Sequence, residues 1–499
     1  MSYLCRCHAH LSGPREQKKM GKDRASEKSP ENEARMTQKL SFTEKVGYSL
    51  GDMAGNFIFQ AMLTLQLSFY VDTFGLSAAQ TGTLFLVVGL GAAALNPVMG
   101  FVADRTNTRW GKFRPWLLWT AVPFGILEVL TFTTPNLRPS GKVIYAYTTY
   151  ALLRLIYTVN NVPYAALTGV ITGDPDERTS LSVFRQIFAN SAALIVQTLA
   201  IPMRDLFGHG NSARGYQMTM GLFSAVSVIF FIITFATTKE RIQPDPQQKT
   251  SLKQDLADLF QNAPWIALFL VMIFYFTAIS LRGSVMLPFF KYCAGNERLF
   301  SWFNGFGLTA LLFGGAVSGM LALRFGKRNL FILSMVLTAL LTIALVSLPP
   351  TATIAIFGLE VVRQFAFGWS CPLLWAMMAD VADYSEWKTG RRATGTVISA
   401  VVFALWAGLA LGGAVAGWLF SSYGYVPNAA QTARALAGIR LTASVYAGLA
   451  FVAAAVCLFF YRITRDANRK IANELTERRK SYVPVVRELP VVTLNTQHD

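Results

Sequence analysis

The sequence predicts an all-α membrane protein whose twelve transmembrane helices form two pseudo-symmetric six-helix halves. Three observations carry that expectation: an oily composition, a regular series of long apolar runs, and a short basic motif that recurs in both halves. Of 499 residues, 53% are hydrophobic and 15% are charged, whereas a soluble domain has about a quarter charged. The balance excludes a disordered, collagen-like or disulfide-framework chain. The net charge of +17 is not read as a nucleic-acid footprint, because the basic residues sit in short loops between apolar runs, where membrane orientation places them.

A span needs roughly 20 apolar residues. In the first half the runs are 44–72, 80–103, 113–134, 143–172, 181–203 and 216–237; in the second they are 263–290, 300–323, 329–348, 352–381, 395–422 and 438–462. Several exceed the bilayer, which implies tilt, kinks or extension into water. Each even-numbered run up to the tenth ends at a basic loop: Arg105, Arg109, Lys112 and Arg114; Arg178; Lys239, Arg241, Lys249 and Lys253; Arg324, Lys327 and Arg328; Lys388, Arg391 and Arg392. The opposite loops are poorer in charge, 348–352 having none. Both termini are therefore expected in the cytoplasm.

Residues 1–40 read as a polar cytoplasmic extension, 41–237 and 263–463 as the two bundles, 238–262 as a cytoplasmic linker, and 464–499 as a basic tail. The first 35 residues lack an apolar core, so they are not a cleaved signal peptide. Met36 opens a more plausible protein, and the natural start is placed there as an expectation. Cys5, Cys7, His8 and His10 lack a second ligand pair, so no metal site is expected from them.

Arg109-Trp110-Gly111-Lys112 follows the second run and Arg324-Phe325-Gly326-Lys327 the eighth, its counterpart in the other half. Matching loops in two sets of six spans are the architecture of rocker-type secondary transporters, whose ligand site lies near the bilayer midplane at the repeat interface. No GxxxxGK[ST], HExxH, GxSxG or paired CxxC occurs, so neither nucleotide-driven transport nor an enzyme is expected. Gly408 and Gly412 have the spacing that brings helix backbones close.

Four blocks carry a family resemblance: Gly47-Tyr48-Ser49-Leu50-Gly51-Asp52; Asn96-Pro97-Val98-Met99-Gly100 running into Asp104-Arg105 and Arg109 to Pro115; Asn161-Val162-Pro163-Tyr164 with Asp174-Pro175 and Arg178; and Ala379 to Arg392. Over roughly residues 40–470 the chain resembles the glycoside–pentoside–hexuronide:cation symporters, a branch of the major facilitator superfamily that includes melibiose and glucuronide permeases. Thr237-Thr238-Lys239-Glu240-Arg241 looks most like the α-xyloside permeases within it. The resemblance implies a monomeric sugar:cation (Na⁺ or H⁺) symporter of a bacterial inner membrane. No tightly held cofactor or nucleic-acid partner is expected.

For the substrate it implies Asn56 and Asn161, at positions where melibiose permeases have sugar-binding aspartates, and Arg185, at the family's sugar-site arginine. The amides both donate and accept, and Arg185 offers five donors in a fixed fork. Without those aspartates Arg185 has spare capacity for a substrate carboxylate, which keeps a hexuronide open. Trp375 is the candidate stacking platform, with Tyr164 and Asn160 in a second tier. At the cytoplasmic gate, Asp104, Arg105, Arg109 and Lys112 are read as a latch. Asp380, Asp383 and Glu386, set against Lys388, Arg391 and Arg392, are read as a salt-bridge network.

The chain departs from the family at the cation site. The second span's two aspartate positions hold Ala92 and Asn96, and the eleventh span's lysine position holds Trp406. Asn96 and Thr158 supply neutral oxygens only, whereas charge among oxygen ligands raises cation affinity. A cation-independent uniporter is therefore the alternative, and a non-transporting sugar sensor a further one. Glu128 and Arg154, both intramembrane, are expected to pair or to replace the lost coupling site. Glu360 and Arg363, three apart, are expected to pair. Arg282 has no local partner and stands between substrate contact and structural bonding.

Overall fold

The computed structural model describes residues 39–172, 175–241, 262–389 and 394–482. The described residues form helices joined by loops, with one isolated bridge at Thr108 and Gly111. The chain divides into two compact units, residues 1–77 with 90–248, and residues 78–89 with 249–499.

The first unit holds α1 (Phe42–Thr64, extended through Gln66–Ser68 and a π turn at Phe69–Phe74), the larger part of α2 (Ala78–Arg105), α3 (Arg114–Thr131), α4 (Pro139–Ile171), α5 (Pro175–Gly208) and α6 (Ser212–Thr237). The second holds α7 (Ala263–Pro288, with a π turn at Phe289–Cys293), α8 (Leu299–Phe325), α9 (Lys327–Ala344), α10 (Thr353–Gly368), α11 (Ser370–Thr389), α12 (Thr394–Ser422), α13 (Ala433–Leu441), a π turn at Thr442–Tyr446, α14 (Ala447–Phe459) and α15 (Arg465–Tyr482). The tenth predicted span is thus α10 with α11, and the twelfth is α13 with α14.

The duplication seen in one motif extends to the architecture. The first helix of each half ends in a π turn. Within the first unit α1 packs on α5 and α6, and α3 on α4 and α6; within the second α7 packs on α12 and α14, and α9 on α10 and α14. Gly111 and Gly326, the shared glycine of the repeated motif, both take positive φ, 113° and 80°, a backbone region open mainly to glycine. The motif therefore encodes a turn as well as charge.

Nine described stretches are long and apolar enough to cross a bilayer. Helices α1, α3 and α4 are not among them. Two of these, α1 and α4, carry Asp52, Asn56, Asn160 and Asn161, so their lower apolarity coincides with the polar residues singled out above. The α7–α12 contact bears out the Gly408 and Gly412 reading. A methyl at either glycine would run into the α7 backbone at Ile273 or Thr277, and the close approach lets Thr277 Oγ1 donate to the Gly408 carbonyl at 3.1 Å and Ser280 Oγ to that of Leu409 at 2.7 Å. One boundary differs from expectation: residues 78–89 of α2 group with the second unit. Gly82 and Gly89 there lie against Ala414, Gly417 and Ala410 of α12. Residues 242–261 of the linker expected at 238–262 fall outside the described residues, as do 1–38 and 483–499 of the two polar ends.

Candidate functional site

The polar face of the first unit begins with two tyrosines. The rings of Tyr48 on α1 and Tyr164 on α4 stack with centroids 4.8 Å apart. Each hydroxyl donates to the other residue's carbonyl, Tyr48 to Tyr164 O at 3.0 Å and Tyr164 to Tyr48 O at 2.9 Å. This reciprocal clasp fixes α1 against α4. Both rings are fully buried, so Tyr164, a second-tier sugar candidate, acts as a support.

Arg185 of α5 lies over that support. Its Cζ is 5.1 Å from the Tyr164 ring centroid and 5.7 Å from that of Tyr48. Nε approaches Asp52 Oδ2 at 3.4 Å, and one terminal nitrogen donates to Thr168 Oγ1 at 3.3 Å. The two charged side chains are 26% and 15% exposed, so the pair is shielded yet reachable. On α1, Tyr48, Asp52, Asn56 and Gln60 recur every four residues and share one face. Asn56 Nδ2 donates to the Asp52 carbonyl at 2.8 Å, and Gln60 Oε1 accepts from Gln197 of α5 at 2.9 Å. On α4, Asn161, Tyr164 and Thr168 share a face by the same periodicity. The half-buried Asn161 amide makes no hydrogen bond among the described residues. Pro163, beside it, removes one backbone N–H from the α4 ladder.

The structure therefore brings Arg185 to the α1–α4 clasp, with Asn56 and Asn161 one turn along from Asp52 and Tyr164. Asn160, a second-tier candidate, is buried and donates to Thr120 Oγ1 of α3 at 2.7 Å, a helix–helix bond. Asp52, Gln60 and Gln197, which share this polar face, were not among the candidates read from the sequence. The four-residue polar period along α1 was the available signal. Trp375 lies on α11 in the second unit, 53% exposed.

At the former cation positions Ala92 is buried, and the Asn96 amide nitrogen turns back to the Ala92 and Ala93 carbonyls at 3.3 and 3.2 Å. Thr158 is buried and Trp406 half-buried. The expected Glu128–Arg154 pair does not form. Glu128 is fully buried and accepts from Ser224 Oγ of α6 at 2.6 Å, because its face of α3 turns to α6. Arg154 lies 5.8 Å above the Tyr157 ring on its own helix. The Glu360–Arg363 pair does form, at 2.6 Å, and Arg282 joins it at 2.5 Å. Arg282 is thus a structural partner and not a cavity cation.

Asp380 pairs with Lys327 of the repeated motif at 2.8 Å. Asp383, Glu386 and Lys388 are all engaged, while Arg392 and the Asp104 side chain lie outside the described residues. Arg105 and Arg109 rest on the neighbouring Phe101 and Trp110 rings at 3.8 and 4.6 Å. Glu240, just past α6, accepts the backbone N–H groups of Lys112, Phe113 and Arg114 at 2.8, 2.8 and 2.9 Å, capping α3 at its positive dipole end. Its neighbour Arg241 chelates Glu44 at 2.6 and 2.9 Å. Replacing Glu240 with Ala orphans three donors. It should cost about 2 kcal/mol, the upper range for an anion at a helix start, read as a lowered melting temperature in detergent; an unchanged melt would show that the cap is dispensable.

Long apolar helices in two repeats, with a shielded polar face on the first, fit a bundle embedded in a membrane. The chain belongs to the family described as MFS/sugar transport protein, which it matches over residues 47–465. It is 36% identical over 446 residues to the inner membrane symporter YicJ of Escherichia coli (strain K12), covering 88% of this chain and 95% of that protein. It is also 36% identical to the isoprimeverose transporter of Lactiplantibacillus pentosus, covering 87% and 91%. Among solved structures, its fold resembles the xylose transporter XylE from E. coli, with a TM-score of 0.62 at 13% identity, covering 87% of this chain and 99% of that one.

Proposed function

We propose that this chain moves a glycoside, pentoside or hexuronide across a bacterial inner membrane by alternating access, as a monomer with both termini in the cytoplasm. The observation that carries the reading is Arg185, held over the Tyr48–Tyr164 clasp with N–H groups left over after its bonds to Asp52 and Thr168. A sugar hydroxyl both donates and accepts, so it can take those N–H groups while Asn56 and Asn161 hold neighbouring hydroxyls. The printed names of YicJ, a symporter, and of the isoprimeverose transporter support sugar symport.

A second reading, cation-independent uniport, is favoured by Ala92 and by the amide of Asn96 spent on its own helix. Uptake driven by an imposed Na⁺ or proton gradient separates the two: accumulation above equilibrium that ionophore collapses means symport, and equilibration alone means uniport. Ala92→Asp combined with Asn96→Asp should increase the dependence of uptake on Na⁺ or pH several-fold. An unchanged ion response would mean that the remaining ligands of the site are lost as well.

A further inference from the structure

We infer that the corner of the second unit where α8, α9, α14 and α15 meet is a docking surface for the headgroup of an anionic phospholipid. The inference is independent of the sugar site and rests only on the chain being embedded in a membrane.

Hydrogen bonds between the four helices build the corner. Arg328, in the first turn of α9, donates to the last two carbonyls of α14, Leu458 at 3.2 Å and Phe459 at 2.9 Å. Arg465, which opens α15, donates to the Leu323 carbonyl of α8 at 3.0 Å. The apolar stretches of α8 and α14 end here, at Phe325 and Phe459, and that of α9 begins at Lys327. The corner therefore lies where hydrocarbon gives way to headgroups. α15 is held in place from α11: Trp387 Nε1 donates to Glu474 Oε2 at 2.6 Å, and Ile471 and Leu475, one turn apart on α15, are buried.

The charge at this corner is one-sided. Residues 320–332 and 459–473 hold seven basic residues and one acid, Asp466. Two of the seven are answered within the protein, Lys327 by Asp380 at 2.8 Å and Lys470 by Glu474 at 3.9 Å. Arg324, Arg462 and Arg469 are exposed and make no ion pair among the described residues. Arg465 and Arg469 stand one turn apart on α15, a like-charge spacing that costs a helix stability unless an anion answers it. Orientation in a membrane asks only for basic residues in loops; here two segments far apart in sequence bring theirs to one rim. The apolar neighbours narrow the anion. Leu323, Phe325, Phe459 and Phe460 are exposed within three positions of Arg324 or Arg462. An acyl chain covers these side chains while its phosphate takes the guanidinium N–H groups, whose fork matches phosphate oxygens. A free phosphate makes only the second contact, and a nucleic acid would leave the rings in water.

The test is native mass spectrometry of the full-length protein in detergent, with phosphatidylglycerol or phosphatidylcholine added in equal amounts. Each basic residue near an anionic surface contributes roughly fivefold in affinity. The wild type should bind phosphatidylglycerol tenfold or more tightly than phosphatidylcholine, and added inorganic phosphate should not displace it. Arg324→Gln, Arg462→Gln and Arg469→Gln combined should reduce that preference at least tenfold, with a melting temperature in detergent alone close to wild type. Single Arg324→Gln and Arg469→Gln variants, each expected to lose severalfold, keep the test decisive if the triple variant does not fold. A control of equal charge in the first unit, Arg105→Gln, Arg109→Gln and Lys112→Gln combined, should keep the preference. Equal binding of the two lipids by the wild type, displacement by phosphate, a preference unchanged in the α8–α15 variants, or an equal loss in the control would each overturn the inference.

Discussion

Arg185→Ala should abolish sugar binding while leaving the protein folded and inserted. On the proposed reading Arg185 offers the sugar its charged donors, and hydrogen bonds to a charged group contribute about 1.5–3 kcal/mol each. Losing two of them costs about 3 kcal/mol or more, a fall in affinity of roughly two orders of magnitude. The fold should survive, because the Tyr48–Tyr164 clasp does not depend on the guanidinium: each hydroxyl bonds a backbone carbonyl across the helix pair. Binding by calorimetry, with the thermal melt as control, checks both halves of the statement. Normal affinity in a folded variant would remove Arg185 from the site.

The largest loss of stability is expected in the other unit. Glu360 is 4% exposed and accepts from two arginines, Arg363 at 2.6 Å and Arg282 at 2.5 Å. Arg282 also donates to the Ala443 carbonyl at 2.8 Å, inside the π turn before α14. One carboxylate thus ties α7 to α10, and Arg282 ties α7 to the last span. Glu360→Gln keeps the shape and removes the charge, leaving two buried guanidiniums without compensation. Removing one member of a buried ion network costs about 3–5 kcal/mol. The expected readout is a strongly lowered melting temperature and poor yield in the membrane fraction. A variant that melts like the wild type would show that water or lipid reaches the two arginines.

How legible these features were depends on sequence separation. The apolar runs and the repeated Arg-x-Gly-Lys motif could be read directly, since hydropathy and a short repeat are both local, whereas the positive φ that makes each copy a turn came from the structure. Glu360 with Arg363 could be read because three residues place them on one helix face. Arg282 could not, because its partner is 78 residues away. The same limit hid Asp52, whose partner lies 133 positions on, and Glu240, which caps a helix start 128 positions back. Glu128 and Arg154 illustrate the converse: two opposite charges at similar predicted depth on adjacent spans, separated because α3 turns one of them toward α6. Depth follows from hydropathy, whereas rotation about the helix axis is set by neighbours that the sequence does not name.

The central claim, that this chain is a sugar transporter working through the Arg185 face, is tested most directly by uptake into proteoliposomes of the purified protein. Labelled α-xyloside, galactoside and glucuronide would be offered to wild type and Arg185→Ala side by side. The expected result is saturable uptake of at least one of these sugars by the wild type, absent from Arg185→Ala and from protein-free vesicles. Uptake by Arg185→Ala at the wild-type rate, or no uptake of any of the three by a folded wild type, would contradict the account.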